Sequence, residues 1–503
     1  MPTRSLLHGR VGAGAVAILI VALLAVLTIS HARTPNAHAS GSSLLQLSSD
    51  PYTNTSSQHK TEVEPDSFAN GSTIVTAFQA GRFSDGGSSN IGWATSINGG
   101  ATWTSGFLPG ITRYAGGTWE RVSDPSVAYD STHQVWIIAS LTLGSTVPNA
   151  VIVSRSTDGG LTWSSPVTVS IASGTAHYDK DWIVCDNWPH RNIAQSIYTG
   201  RCYVEWDDAN SSANNVRMST STDGGRTWSS PNGPSSINFG IGGQPLVQPN
   251  GHIVVPIIDG PDIAAFTSSN GGQSWSAVHD ITPIEAVIDG GNIRGGVLPS
   301  AEVDANGVVY VVWSDARFEP GNNANDIVMT TSADGGTWSP VQRIPIDPTS
   351  ISAVDHLLAG IAVDKGTSGS SVHLGLMYYY VPQGTNCTVA TCQLDVGFVS
   401  STNGGSTWSA SAQLAGPMND AWLASTPQGY MVGDYFSASF VGGKCFPVFS
   451  VAGPPPSSGV LNQAMYTWTG GLAILGGTRS GADSRVYRAP RRGASIVMPR
   501  TAN

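Results

Sequence analysis

The sequence predicts an all-β fold in which four-stranded antiparallel units repeat around a closed ring. Three observations predict it. First, an eight-residue phrase recurs, clearest as Ser156-Thr157-Asp158-Gly159-Gly160-Leu161-Thr162-Trp163. Copies end at Trp103, Trp228, Trp275 and Trp408, and a copy one residue short ends at Trp338. Their spacing of roughly 47–70 residues marks a repeat architecture. Second, short apolar runs precede each copy in the same order. Third, 59 glycines, 15 tryptophans and only 12% charged residues describe a turn-rich β chain.

The phrase has the physics of a hairpin turn. Its third residue is Asn98, Asp158, Asp223, Asn270, Asp334 or Asn403. Each can accept hydrogen bonds from its own turn, and the paired glycines supply positive φ. The Trp then covers the turn with an apolar face.

Arg4 and Arg10 precede an apolar run over residues 11–29, and Ala37-His38-Ala39 offers a small-x-small cleavage site. Residues 1–39 therefore read as a signal peptide or an N-terminal membrane anchor, and the protein is expected to be secreted or held at the cell surface. Five cysteines suit that compartment. Cys387 and Cys392 are close in sequence, Cys185 and Cys202 could bridge one hairpin region, and Cys445 is left as a buried thiol. No zinc-like spacing is present and no cofactor is expected. A net charge of −10 with few lysines argues against nucleic acid as a partner.

The repeat occupies residues 40–475. Ser43-Leu44-Leu45-Gln46-Leu47 could be a short strand. The first unit opens at Val63-Glu64-Pro65 and continues through Thr73-Ile74-Val75-Thr76-Ala77-Phe78 and Ile91-Gly92-Trp93 to its turn. Asp124-Pro125-Ser126-Val127, Asp181-Trp182-Ile183-Val184, Gln244-Pro245-Leu246-Val247, Pro299-Ser300-Ala301-Glu302 and Gly360-Ile361-Ala362-Val363 open the next units. Met431-Val432-Gly433-Asp434-Tyr435-Phe436 opens another that lacks the phrase. Such units cannot bury both faces alone, so they stack radially into a β-propeller. Seven openers favour seven units, the strand near Leu45 completing the last; six is the alternative. Residues 476–503 carry six arginines in a Gly/Ser-rich context and read as a disordered tail.

The phrase resembles the Asp box, S-x-D-x-G-x-T-W, of the sialidase-like (BNR-repeat) propellers. Asn70-Gly71-Ser72-Thr73-Ile74-Val75-Thr76-Ala77-Phe78-Gln79-Ala80-Gly81-Arg82 also resembles a sialidase stretch. The run of openers, with Asp179-Lys180-Asp181-Trp182 and Leu414-Ala415-Gly416-Pro417-Met418, is similar to exported bacterial proteins labelled sialidase-like. The resemblance implies a glycan-active hydrolase acting on an extracellular glycan or glycoconjugate. Asp85, 11 residues before Ser96, takes the place of the acid/base. Glu302 and Arg317, 15 residues apart, resemble a sialidase Glu followed by a triad arginine. Tyr435 takes the place of the nucleophile, and Arg82, Arg294 and Asp434 are further substrate-binding candidates.

The pattern is incomplete. Where sialidases carry Arg-Ile-Pro, this chain has Val63-Glu64-Pro65. Arg343-Ile344-Pro345 falls on an outer strand, and no arginine lies between Arg343 and Arg479. A sialidase would need Arg294, Arg121 or Arg201 to rebuild its triad. Asp179-Lys180-Asp181-Trp182 and Glu205-Trp206-Asp207-Asp208 place carboxylates beside indoles, a mix that can cradle a sugar. The other function class is a non-catalytic propeller that binds glycan or protein. The distinguishing geometry is whether Asp85, Glu302 and Arg317 share one concave site.

Overall fold

The computed structural model describes residues 44–145, 147–174, 176–188, 196–209, 215–319, 321, 323–348 and 354–479. The expected signal or anchor and most of the Arg-rich tail lie outside these residues. Among the described residues every helical turn is a short 3₁₀ segment, and the rest of the regular structure is strand.

The strands follow the order of the openers. Glu62–Asn70, Thr73–Arg82, Ser88–Ser96 and Thr104–Phe107 form the first unit, and Arg121–Asp130, Val135–Leu143, Ala150–Ser156 and Val167–Ile171 the second. A single pair, Ser88↔Val122, joins their hydrogen bonding. Tyr178–Cys185, Cys202–Asp208 and Asn215–Ser221 follow, with the bridge Met218↔Asn232 at their edge. Ile253–Asp259, Asp262–Ser268 and His279–Pro283 pair next, with Leu246–Val247 inside them. Ser300–Val303 leads a four-stranded sheet ending at Gln342–Arg343, and Asp355–Val363 leads another ending at Ala412–Asn419. In the last sheet Leu44–Gln46 pairs antiparallel with Gln463–Trp468, so the N-terminal strand completes the C-terminal unit.

Apolar layers between neighbouring sheets hold this succession together. Val75 and Trp93 of the first unit pack with Val127 and Ile138 of the second. Tyr203 and Met218 meet Val255 and Phe266, and Tyr310 and Met329 meet Ile361 and Leu376. Phe78 and Ala94 of the first unit meet Val448 and Met465 of the last, which closes the ring. Across the same seam the Met465 backbone N–H donates to the Glu62 carboxylate at 3.0 Å. Burying apolar faces on both sides of each sheet is what radial stacking supplies.

The recurring turns form as their sequence dictates. Asp158 Oδ1 accepts from Ser156 Oγ at 2.7 Å and from the backbone N–H of Leu161 and Thr162 at 3.1 and 3.0 Å. Gly160 sits at φ 81°, and a Cβ there would come within 2.6 Å of Val75 in the preceding unit. The glycine is thus required twice, by its backbone angle and by close approach.

Contacts with the propeller continue past residue 475. The Trp408 N–H donates to the Arg479 carbonyl at 2.9 Å, and the Arg479 guanidinium donates to the Ile346 carbonyl at 2.7 Å. Trp408 is fully buried, and covering it draws residues 476–479 onto the propeller. The expected disulfides are both present, Cys185–Cys202 and Cys387–Cys392, and Cys445 is a free buried thiol.

Candidate functional site

The first strands of the units share an irregularity. Register shifts interrupt them at Val63/Asp66, Ser123/Ser126, Asp179/Asp181 and Leu357/Ala359. The residue expelled by each bulge has left-handed backbone: Glu64 at φ 55°, Asp124 at 50°, Lys180 at 34° and Leu358 at 48°. Non-glycine residues reach this region at a cost of about 1 kcal/mol or more, and such strain concentrates at functional sites. A bulge re-aims a side chain out of the pleat. Four sheets therefore use the same device at the same end of their inner strands.

The bulges gather a charged centre. Glu64, Asp124, Asp179 and Asp434 lie within electrostatic reach of one another and of Arg82 and Arg294. Burial, reinforced by Asp124 and Asp434, holds the Glu64 carboxyl well above the carboxylate range. Burial and Asp124 push Asp179 up to about 7. Burial also raises Asp66, to about 7. Asp181, Glu205 and Asp207 are pushed well up by burial, and the last two face each other.

The two arginines of the centre are committed to the protein. Arg294 forks onto Asp434, with Nε to Oδ1 at 2.7 Å and Nη2 on Oδ2. Arg82 is buried and donates to Gln79 Oε1 at 3.2 Å and to the Gly87 carbonyl at 3.0 Å. Gln79 in turn bonds Glu64 and donates to Ser123 Oγ at 3.1 Å. The third cation, Lys180, sets its ammonium 4.1 Å from the Trp182 ring centroid and 4.2 Å from that of Tyr435. A small cavity beside it is lined by Trp182, Gly242, Gln244, Ser300, Tyr435 and Phe436.

Arg82, Arg294, Asp434 and Tyr435, far apart along the chain, thus meet at the centre. Tyr435 is a wall residue there. Its hydroxyl donates to the Pro125 carbonyl at 3.3 Å, and burial together with Asp124 and Glu64 pushes the phenol well above its usual range. That environment opposes the phenolate a nucleophile needs.

The expected trio of Asp85, Glu302 and Arg317 does not assemble. Asp85 is exposed and paired with Arg121 at 2.7 Å. Arg317 is bound to Asp315 in its own loop at 2.8 Å. Glu302 pairs with Lys365 at 3.4 Å, and that ammonium also lies 5.2 Å from the Phe68 ring. Phe68 belongs to the hairpin end of its strand, where Asn70 pairs with Thr73, so Glu302 sits at the opposite end from Glu64. Strand direction separates them: residues four apart on a strand are roughly 13 Å apart. The Asp-box turns share that far end, since the Gly99 N–H donates to the Ser72 carbonyl at 2.8 Å. Arg201 donates to the Gly271 carbonyl at 3.0 Å, and Arg343 lies on an outer strand. Of the arginines that might rebuild a triad, only Arg294 is central.

Sequence reasoning missed Glu64 and Asp124 as site residues. A signal existed. Val63-Glu64-Pro65-Asp66, Ser123-Asp124-Pro125-Ser126 and Asp179-Lys180-Asp181-Trp182 occupy the same place in three openers, each with a charged residue at the second position.

Among the described residues one acid–histidine group has metal-like spacing. Asp326, Asp347 and His356 each place an atom within 4.8 Å of the others. The Arg343 guanidinium lies among them, 2.7 Å from Asp326 and 2.9 Å from Asp347, and supplies their counter-charge.

Residues 202–373 match the family model of the BNR repeat-like domain. A sialidase of Bacteroides fragilis (strain YCH46) is 25% identical over 280 residues, which are 51% of this chain and 49% of that protein. The chain thus spans about half the length of that curated relative. Among solved structures, Hadza microbial sialidase Hz136 is 16% identical, with a TM-score of 0.44 over 78% of this chain and 76% of that one. A protein of unknown function from Dyadobacter fermentans DSM 18053 is 15% identical, with a TM-score of 0.42 over 71% and 99%. The α-L-arabinofuranosidase Arb93A from Fusarium graminearum is 14% identical, with a TM-score of 0.40 over 70% and 96%.

Proposed function

We propose, for a chain that belongs to the sialidase-like BNR-repeat superfamily, that the bulged ends of the inner strands hydrolyse an uncharged extracellular glycan. One observation carries this reading: carboxyl groups crowd the centre while both of its guanidinium groups are already bound within the protein. Holding a sialoside carboxylate takes free guanidinium forks. Here Asp434 fills the fork of Arg294, and Arg82 is buried. Carboxyl groups instead suit sugar hydroxyls and the acid–base steps of glycoside cleavage.

Asp179 is the proton donor. It is partly exposed, and its pKa, raised to about 7, leaves a large share of it protonated near neutrality. Asp434, beside Arg294, is the paired carboxylate. Trp182 and Tyr435 wall the small cavity beside Lys180. Asp85, Glu302 and Arg317 have no part in this assignment. The two disulfides support an oxidising compartment outside the cytoplasm.

The test is a panel of chromogenic glycosides, neutral and sialylated, offered to the protein and to its Asp179→Asn variant. Turnover of a neutral glycoside that the variant loses supports the reading. Turnover of sialosides in preference overturns it, and so does turnover of a neutral glycoside that the variant keeps. No turnover on any member returns the protein to the binding class.

A further inference from the structure

Arg294 reaches the centre on a connection between two sheets, from the end of His279–Pro283 to the start of Ser300–Val303. This connection is held by apolar anchors at Ile284 and Ile293 and, between them, by polar contacts rather than by a sheet. Its far side rests on Tyr430, whose carbonyl accepts from the Arg294 N–H at 2.7 Å. Its near side rests on Asn325. The Asn325 side chain accepts from the Val287 N–H at 2.8 Å and donates to the Val287 carbonyl at 3.0 Å. The same amide nitrogen donates to Asp289 Oδ1 at 3.2 Å and to Asp355 Oδ1 at 3.0 Å. Asp355 Oδ2 is buried and takes no hydrogen bond within the protein.

Two carboxyl groups that meet on one amide cannot both be charged cheaply. The connection is also shaped around them. A Cβ on Gly295 would fall 1.8 Å from Asp289 Oδ2. A Cβ on Gly291 would fall 1.9 Å from Oδ2 of Asp420, a third carboxyl, whose two oxygens also lack partners.

We propose that Asp289 and Asp355 are positioning residues: a carboxyl clasp that holds Arg294 at the centre while the pair retains a proton, and releases the connection when both ionise. Each element packed around the clasp contributes titratable groups. His356 lies beside Asp355, its ring 3.2 Å from the Asn325 carbonyl, and Asp347 lies 4.0 Å beyond it. Asp420 faces Gly291, and Glu285 starts the connection next to Asp315. Burial and Asp355 push Asp289 well above the carboxylate range, and burial raises Asp355 as well. The sign follows from those directions. Both folded-state pKa values lie above the unfolded ones, so the clasp is closed at low pH and is lost as pH rises through the raised values.

The clasp rests on the functional reading only for what Arg294 does, so its test is independent of turnover. Amide hydrogen exchange of the segment 285–296 is followed from the acidic to the alkaline side of neutrality, corrected for the intrinsic pH dependence of exchange. In the wild type, protection should fall about tenfold or more on the alkaline side. In Asp289→Asn the amide can donate to Asp355 at any pH, so protection should persist. Asp355→Asn repeats the test from the other partner and serves if the first variant does not fold. Gly295→Ala, which presses on Asp289 without removing a titrating group, should expose the segment at every pH. Protection that ignores pH in the wild type overturns the clasp, as does a loss in both Asn variants equal to that of the wild type. A pH-dependent segment in a protein that cleaves no glycoside would leave the clasp standing and remove the hydrolase reading.

Discussion

Arg294 and Asp434, 140 residues apart in sequence, close a two-bonded ion pair at the centre of the inner strands. The pair joins the connection ahead of Ser300–Val303 to the chain that opens the last sheet. It also removes the most exposed guanidinium of the centre from use by a ligand. Its side chains are about one-fifth exposed, 19% and 20%, so the two charges are largely desolvated.

Breaking this pair from one side should therefore cost more than a surface salt bridge. Arg294→Met leaves Asp434 among other carboxyls and should destabilise the protein by about 2–4 kcal/mol. Asp434→Leu should act in the same direction. The double variant should recover part of the sum, a coupling readable from urea unfolding of all four proteins.

The proton on Asp179 should set the alkaline limb of glycosidase activity. Its carboxyl is pushed up to about 7, so the acid form is lost as pH rises through that value. Activity should fall along the same limb. Asp179→Asn should remove most of the turnover, and any residual rate should be flat across that region. Rates measured against pH on one neutral glycoside check both statements.

The Asp-box turns should govern acid stability. Hydrogen bonds from the Thr hydroxyl, the backbone and the leading Ser outweigh burial in Asp158 and Asp223 and lower them to about 2, and Asp334 is lowered to about 2 mainly by backbone hydrogen bonds. Depressed folded-state values mean that this stabilisation is present above the ordinary Asp range and is lost as pH falls through about 2. These carboxylates are exposed, so each contributes modestly. Replacing all three by Ala should flatten the acid limb of urea midpoint against pH, with little change in its slope near neutrality.

Reduction of Cys185–Cys202 should lower stability by about 3 kcal/mol, the loop-closure value for a bridge with 17 residues of sequence separation. The bridge joins neighbouring strands of the third sheet, one of them the strand that carries Asp179. Thermal unfolding with and without reductant, beside a Cys185→Ser/Cys202→Ser variant, measures the cost. Cys387–Cys392, at a sequence separation of only 5, should matter less.

The repeat was legible because each Asp-box turn is closed by its own residues. Ser156, Asp158, Gly160 and Thr162 satisfy one another within a few positions, whatever the rest of the chain does. The openers were legible for a similar reason, since short apolar runs between turns can hardly be anything but buried strands. The closure by Leu44–Gln46 was legible as a short apolar run ahead of the first unit, whereas the single Ser88↔Val122 link between the first two sheets carries no comparable local mark.

The site was legible only in part. Asp434, Tyr435, Arg82 and Arg294, singled out because each stands beside glycines or at an opener, lie together at the centre, though Tyr435 is a wall residue there. Glu302 was misplaced, because spacing along the chain does not report which end of a strand a residue occupies. Asp85 was misplaced because its exposed loop gave it a nearer partner in Arg121. Glu64 and Asp124 were missed: the charged second position shared by three openers marks them in the sequence, but only the register of the paired strands shows that a bulge turns these side chains out of the pleat.

What the sequence by itself determined is the unit: a turn whose hydrogen bonds are internal, and strands whose apolar faces must find cover. What only the tertiary structure decided is the centre. Radial stacking brings the same end of every inner strand to one axis, and there Glu64, Asp124, Asp179 and Asp434 share a desolvated space with two arginines and a lysine. Their protonation and their pairing follow from that convergence, which leaves no free guanidinium fork at the centre among the described residues. Charges tens or hundreds of residues apart acquire their chemistry only from the neighbours the fold assigns them.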